Sequence, residues 1–219
     1  MDRQTKRRQE MVRTQLERRD IRDARLLDAA RTVPRHLFVP SPLRRFAYDD
    51  RPLPIGCGQT ISQPYIVALM IEALRLDGGE TVLEVGAGSG YCAALLHRLA
   101  ARVIAVERYE KLAEQARANL RAAGCETVQV ICADGSLGWP DAAPYDAILV
   151  SAGAPEPPAA LCQQLAPGGR LVIPTGTMPD WQSLERITLT ADGSLHRHHL
   201  CDVRFVPLVG AQGWPTTPR

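Results

Sequence analysis

The sequence predicts an α/β protein: a mostly parallel, doubly wound sheet with a C-terminal antiparallel hairpin and a helical N-terminal extension. Three observations carry this. From Thr81 onward, short apolar runs alternate with stretches of helical periodicity, the pattern of parallel strands covered on both faces. The first run, Thr-Val-Leu-Glu-Val over 81–85, breaks into Gly86-Ala87-Gly88-Ser89-Gly90 and leads at once into an apolar helical pattern from Tyr91 to Ala100. A strand, a glycine turn and a helix start in that order bring backbone close to a nucleotide-like ligand. The chain's end reads differently: Ser183–Thr190 and Leu195–Leu208 flank the turn Ala191-Asp192-Gly193-Ser194, as in an antiparallel hairpin.

A chain of 219 residues can bury a full core as one domain. The expected division is a helical N-terminal cap over 1–76 packed on an α/β core over 77–219. Composition is that of a globular protein, 45% hydrophobic and 23% charged, with no run of 18 apolar residues to span a membrane. The Arg-rich N-terminus lacks the apolar segment of a secretory signal. Cysteines 57, 92, 125, 132, 162 and 201 form no C-x-x-C pair. Cys92, Cys132 and Cys162 lie in apolar patterns, where they read as small buried hydrophobes. A reducing, cytoplasmic compartment and no metal site follow.

Net charge is only +2, a weak field for nucleic acid. Residues 1–35 hold eleven Lys/Arg against six Asp/Glu, a local +5. No aromatics are interleaved for base stacking, so a charged helical face is favoured over an RNA-binding arm.

The elements follow in order. Residues 3–19 carry a thin apolar stripe of Met11, Val12 and Leu16. Asp20 is placed to cap a second helix, with Ile21, Ala24, Leu26, Leu27 and Ala30 on its buried face, ending before Pro34. The proline-rich stretch 35–54 predicts a packed irregular loop, and 55–63 a glycine-containing loop. Ser62 is placed to be the N-cap of a helix with Pro64 in its first turn and Ile66, Leu69, Met70, Ala73 and Leu74 facing inward. A hydroxyl there also suits an anion at a helix N-terminus, and spacing alone does not choose between the two roles. Strands are then predicted over 81–86, 102–106, 127–132, 145–151 and 170–174, with helices over 91–100, 110–123 and 157–165.

The dinucleotide fingerprint G-x-G-x-x-G would put its third glycine at Tyr91, where a bulky side chain stands instead. The turn reads G-x-G-x-G, with Glu84 two residues before Gly86, Glu107 at the tip of the next strand and Asp134 at the tip of the third. A pyrophosphate has no need of a carboxylate beside it, whereas a ligand with an amino-acid cation and a sulfonium centre tolerates one. Glu107 is placed to accept ribose hydroxyls and Asp134 an adenine amino group. Acids at three successive strand tips around one glycine turn describe S-adenosylmethionine. After the fourth strand, Ser151-Ala152-Gly153-Ala154-Pro155 lacks the amide and aromatic of base-modifying methyltransferases. With no metal cluster and no cysteine pair, a carboxylate acceptor fits, since it is already ionised and needs no strong base.

These residues resemble the protein-L-isoaspartate (D-aspartate) O-methyltransferase family over nearly the whole chain. The resemblance rests on Arg35-His36-Leu37-Phe38-Val39-Pro40, on Gln59-Thr60-Ile61-Ser62-Gln63-Pro64, and on Val82–Gly86 with Gly88-Ser89-Gly90-Tyr91. Gly168–Pro174 and Val203–Leu208 continue it. The glycine turn is common to most adenosylmethionine enzymes; Thr60-Ile61-Ser62 is far more particular. The resemblance implies a Rossmann-like adenosylmethionine-dependent fold and a repair activity. A methyl group passes to the α-carboxyl of L-isoaspartyl residues in damaged proteins and peptides, leaving S-adenosyl-L-homocysteine. The ester then cyclises to a succinimide whose hydrolysis returns some normal aspartate. By resemblance, Ser62 is the active-site serine and Gln59, Thr60 and Ile61 belong to the substrate loop. Glu84, Gly86, Gly88, Gly90, Glu107, Asp134 and Gly135 occupy cofactor positions. Departures are Ala87 in the turn, Ala133 before Asp134, Cys57 in the loop and Val209 where a Thr is common. Two other readings stay open: a relative dedicated to one peptide partner, and a non-catalytic protein of the same fold that binds adenosylmethionine or RNA.

Overall fold

The computed structural model describes residues 2–178 and 181–215. The cap opens with α1 (Arg3–Met11), capped by the Asp2 carboxylate, which accepts from the Gln4 amide at 2.7 Å and the Thr5 amide at 3.0 Å. Asp20 does not cap the second helix as expected. It sits in left-handed backbone (φ 66°) at the end of the first helical stretch. The cap of α2 (Ala24–Thr32) is Asp23, which accepts from the amides of Arg25 and Leu26 at 2.9 and 3.1 Å. Ala24 is exposed, and Leu26, Leu27, Ala29 and Ala30 form the buried face. The stretch 35–54 is irregular as predicted, with short 3₁₀ turns at Arg35–Phe38 and Ser41–Phe46 and with Phe38, Val39 and Tyr48 buried.

The loop predicted over 55–63 is a small hairpin of β1 (Leu53–Gly56) and β2 (Gln59–Ile61), paired antiparallel. Its two-residue turn, Cys57-Gly58, has positive φ at both positions, 51° and 69°, the twist that two short strands require. Helix α3 (Pro64–Ala73) follows, burying Val67, Ala68, Met70, Ile71 and Ala73, with Ile66 and Leu69 half-buried.

In the core, β3 (Thr81–Val85), β4 (Arg102–Glu107), β5 (Gln129–Cys132), β6 (Tyr145–Val150) and β7 (Leu165–Met178) run parallel. Between them come α4 (Tyr91–Leu96), α5 (Glu110–Ala122) and α6 (Ala159–Gln163). β8 (Trp181–Leu189) and β9 (Leu195–Val203) add the antiparallel hairpin. The seven strands lie in the order β5-β4-β3-β6-β7-β8-β9. The order reverses beside β3, so the glycine turn leaves the sheet at the point where such folds bind ligands. Several boundaries shift. α4 ends four residues early because the amides of Arg98 and Leu99 turn tightly onto the carbonyls of Leu95 and Leu96. α6 is shorter than predicted and β7 longer at both ends. β9 ends at Val203, and the next residues cross the strand tips instead, with Gly153 N–H donating to Val206 O at 2.8 Å and Leu208 N–H to Gly153 O at 2.7 Å.

One apolar cluster runs from Met11 and Phe38 in the cap through Tyr91 and Leu95 to Phe205, joining the cap to one face of the sheet. The other face is filled by Tyr145, Ile148, Leu161, Leu171 and their neighbours.

Candidate active site

A cleft opens at the carboxyl ends of β3, β4 and β6, lined by Glu84–Ser89, Tyr91, Cys92, Val106–Tyr109, Gly135, Ser151 and the chain at Val206–Val209, with Gln59–Ser62 over it. The glycine turn is its floor. Gly86 (φ 87°) and Gly88 (φ 53°) adopt left-handed backbone that glycine takes without strain, and the Gly86 amide donates to Val106 O at 2.8 Å. Gly90 does not line the cleft. It precedes α4 with φ 87°, and a Cβ there would lie 3.2 Å from Leu120 and 3.4 Å from Ala116 on α5. It therefore serves helix packing.

Glu84 is 1% exposed, and among the described residues neither carboxylate oxygen meets a partner in good hydrogen-bond geometry. Burial pushes its pKa up to about 8, although the Cys92 thiol and the Ala93 amide lie near enough to oppose part of the shift. A buried, unpartnered carboxylate facing a cleft lacks a cation, and the ammonium of an amino-acid ligand fits that need. Glu107 also lines the cleft; its oxygens accept from the Gly88 amide at 2.8 Å and the Tyr109 amide at 3.0 Å. Those bonds fix the carboxylate and leave each oxygen a further lone pair for ribose hydroxyls. The residues present thus fit S-adenosylmethionine.

Asp134 stands at the tip of β5, as expected, and is not part of the cleft wall. Its carboxylate accepts from the Ser136 amide (3.0 Å) and hydroxyl (2.7 Å) through one oxygen and from the Ala211 amide (2.8 Å) through the other. The tail turn at Gly210-Ala211 brings the Ala211 N–H against it, and a Cβ on Gly210 would clash with the Asp134 carboxylate. Gly135, next in line, does reach the cleft.

Ser62 is not the cap of α3. Gln63 holds that position without a side-chain bond, and Asp50 reaches across to accept from the Tyr65 amide at 3.2 Å. The Ser62 hydroxyl is thereby left to the site. Its carbonyl accepts from Arg35 Nη2 at 2.7 Å. Arg35 is fully buried, donates from Nε to Ala47 O at 2.7 Å, and lies 4.7 Å from the Tyr91 ring centroid. A second groove adjoins the cleft, running along Asp202–Pro207 past Pro52, Gln63 and Ile66. Thr60, Ser62, Ser151, Val206 and Pro207 line both cavities, so Ser62 stands where they meet. Gln59 and Ile61 line only the cleft.

Ser151, Arg35, Cys92 and the Val206–Val209 crossing are site features missed in the sequence. Ser151 could have been found, because it stands at the tip of the fourth strand just as the acids stand at the first and second. Val209 lines the cleft and not the groove, so the hydroxyl missing there does not bear on the groove. Among the described residues no group of His, Cys, Asp or Glu could hold a metal ion, and no helix is long and apolar enough to cross a membrane.

The sequence profile of the protein-L-isoaspartate(D-aspartate) O-methyltransferase family matches residues 6–213. The chain is 59% identical to protein-L-isoaspartate O-methyltransferase 2 of Marinobacter nauticus over 95% of each chain. It is 56% identical to the Methanoregula boonei protein-L-isoaspartate O-methyltransferase over 94% of each. Among solved structures, one protein-L-isoaspartate O-methyltransferase superposes with a TM-score of 0.84 at 31% identity, covering 94% of this chain and 67% of the other. A Plasmodium falciparum relative, solved in complex with S-adenosyl-L-homocysteine, gives 0.79 at 27% identity over 91% and 96%. By both sequence and fold, the chain belongs to the protein-L-isoaspartate(D-aspartate) O-methyltransferase family.

Proposed function

We propose that Ser62, with the backbone amides around it, holds the α-carboxylate of an L-isoaspartyl residue at the junction of the two cavities. The chain is an S-adenosylmethionine-dependent protein-L-isoaspartate O-methyltransferase. The observation that carries the residue roles is the shared wall: Thr60, Ser62 and Ser151 face both the cleft and the groove. Glu84, Gly86, Gly88, Glu107 and Gly135 would hold the methyl donor, which supplies an electrophilic methyl group on a sulfonium. Asp134 holds the Gly135 turn from behind. The acceptor carboxylate is ionised at neutral pH, so Ser62 donates a hydrogen bond and removes no proton. Aligning the reacting atoms and excluding water from the carboxylate supply the rate enhancement. Damaged proteins and peptides are the partners.

Nucleic acid is not a partner in this reading. Arg7, Arg19, Arg25 and Arg35 of the basic segment are tied to Asp49, Asp50, Leu99 O and Ser62 O. The cysteines are all unpaired, which supports a reducing, cytoplasmic setting.

The test is methyl transfer from labelled S-adenosylmethionine to an isoaspartyl peptide and its normal-aspartyl twin. Base-labile ester on the first alone is expected; equal labelling, or none, sinks the reading. Ser62→Ala should lower turnover roughly tenfold or more while S-adenosyl-L-homocysteine binds as before. Full turnover in that variant would remove Ser62 from the acceptor site.

A further inference from the structure

Trp181 is 62% exposed, an unusual setting for an indole, and it lines the groove away from the cleft. It is the first residue of β8, and the next residue, Gln182, pairs with Val203 on β9. From that register the chain runs by way of Phe205 to Val206 and Pro207, which share the wall with Ser62. Four residues of extended chain span at most about 14 Å. The indole therefore lies within reach of a substrate side chain no more than four residues from the acceptor. Its partner across the β7–β8 pairing, Met178, is 60% exposed, so a flexible thioether is paired in register with the indole.

We propose that Trp181 is a specificity-determining residue that packs against one large apolar or aromatic side chain flanking the isoaspartyl residue. The inference rests on the acceptor reading of Ser62. The occupant follows from continuity: the groove is one cavity from Ser151 and Ser62 outward, so a peptide placing its carboxylate at Ser62 must continue along it or leave it. Ile66, Val203 and Phe205 supply apolar contacts in a wall that also carries Asp202 and Arg204. Rings and large aliphatic groups gain most from an exposed indole, through area and ring geometry. An acidic or small side chain gains nothing comparable from the indole itself. The contact lies remote from the reacting atoms and is made equally before and during transfer, so it should act on KM and leave kcat alone.

The experiment walks Phe, Ala and Glu through the four positions on either side of an isoaspartyl residue in short peptides and measures kcat and KM. At one position, wild-type enzyme is expected to show a KM roughly tenfold lower for Phe than for Ala, with kcat the same. Trp181→Ala should bring the two peptides to one KM, and Trp181→Phe should restore most of the difference. The Phe peptide should also blue-shift the emission of wild-type protein and not that of Trp181→Phe, in which Trp139 and Trp214 remain as controls. Equal KM values at every position in wild type, or an unchanged Phe-to-Ala ratio in Trp181→Ala, overturns the inference alone. Methylation of neither peptide overturns the acceptor reading with it. A halved mass for Trp181→Ala in sedimentation would make the indole a contact between copies of the chain and would equally overturn it.

Discussion

With both oxygens buried and unpartnered, the Glu84 carboxyl should hold its proton at neutral pH until a cation enters the cleft. The sign of the linkage is definite. A folded-state pKa raised from 4.5 to about 8 means that the folded chain retains a proton the unfolded chain has released. Stability is therefore lost as pH rises from the unfolded value towards about 8 and is level beyond it. Glu84→Gln should flatten that part of a Tm-against-pH curve; an unchanged slope between pH 5 and 8 would mean the carboxyl is already ionised. Binding of S-adenosyl-L-homocysteine should restore the charge and release close to one proton near pH 7. Calorimetry in buffers of different ionisation enthalpy reads that directly, and Glu84→Gln should release none. Glu84 and Glu107 were legible because an acid beside a glycine turn is a local pattern. Asp134 was legible as a strand-tip acid, but its hydrogen-bond partners were not, since one of them is the amide of Ala211, 77 residues further on.

At the scale of elements, the three glycines of one motif do different work. Gly90→Ala combines left-handed backbone with a Cβ 3.2 Å from Leu120 in a packed helix interface. It should cost about 2–4 kcal/mol in a urea titration, with cofactor affinity nearly unchanged. At Gly88 the one close contact of such a Cβ would be the end of the Ile55 side chain on β1, at 3.2 Å, with the Gly86 carbonyl at an ordinary 3.9 Å, and φ is 53°. Gly88→Ala should cost about 1–2 kcal/mol. Its larger effect should be on peptide turnover, because the hairpin that shifts carries Thr60 and leads to Ser62. Similar stability and turnover losses in both variants would contradict this division. The alternating strands and helices were legible because each is long enough to show its period. The β1–β2 hairpin was not: its strands are three and four residues long and its turn uses Cys57 where Asn or Asp is usual. The start of α3 shifted for a similar reason. Ser62 is the better cap by residue type, but Asp50 takes the Tyr65 amide and Arg35 takes the Ser62 carbonyl, and both lie outside that window.

For the molecule as a whole, the buried cation of Arg35 decides whether cap and core are separable. Among the described residues no carboxylate forms an ion pair with it, although Asp50 acts on it at longer range. Its hydrogen bonds go to carbonyls at 47 and 62, its face to Tyr91 of the core, and its Nη1 is left without a partner. Burying such a group is unfavourable unless hydrogen bonds and ring contacts offset its desolvation, and here these come from several elements of cap and core at once. The apolar cluster crosses the same boundary, with Phe38 edge-on to Tyr91 at 5.6 Å between centroids. We therefore expect residues 1–76 and 77–219 to unfold as one unit. All three tryptophans, at 139, 181 and 214, lie in the core half, whereas helical circular dichroism reports on both halves. Coincident denaturation curves from the two probes are the expected result; loss of helix before any change in fluorescence would mean that the cap melts by itself. Arg35→Met leaves two carbonyls unpaired and should cost about 3 kcal/mol or more. If cap and core are one unit, both probes should move together to lower denaturant. If the guanidinium is what joins them, the curves should part in this variant alone, and Ser62 should lose activity with the cap.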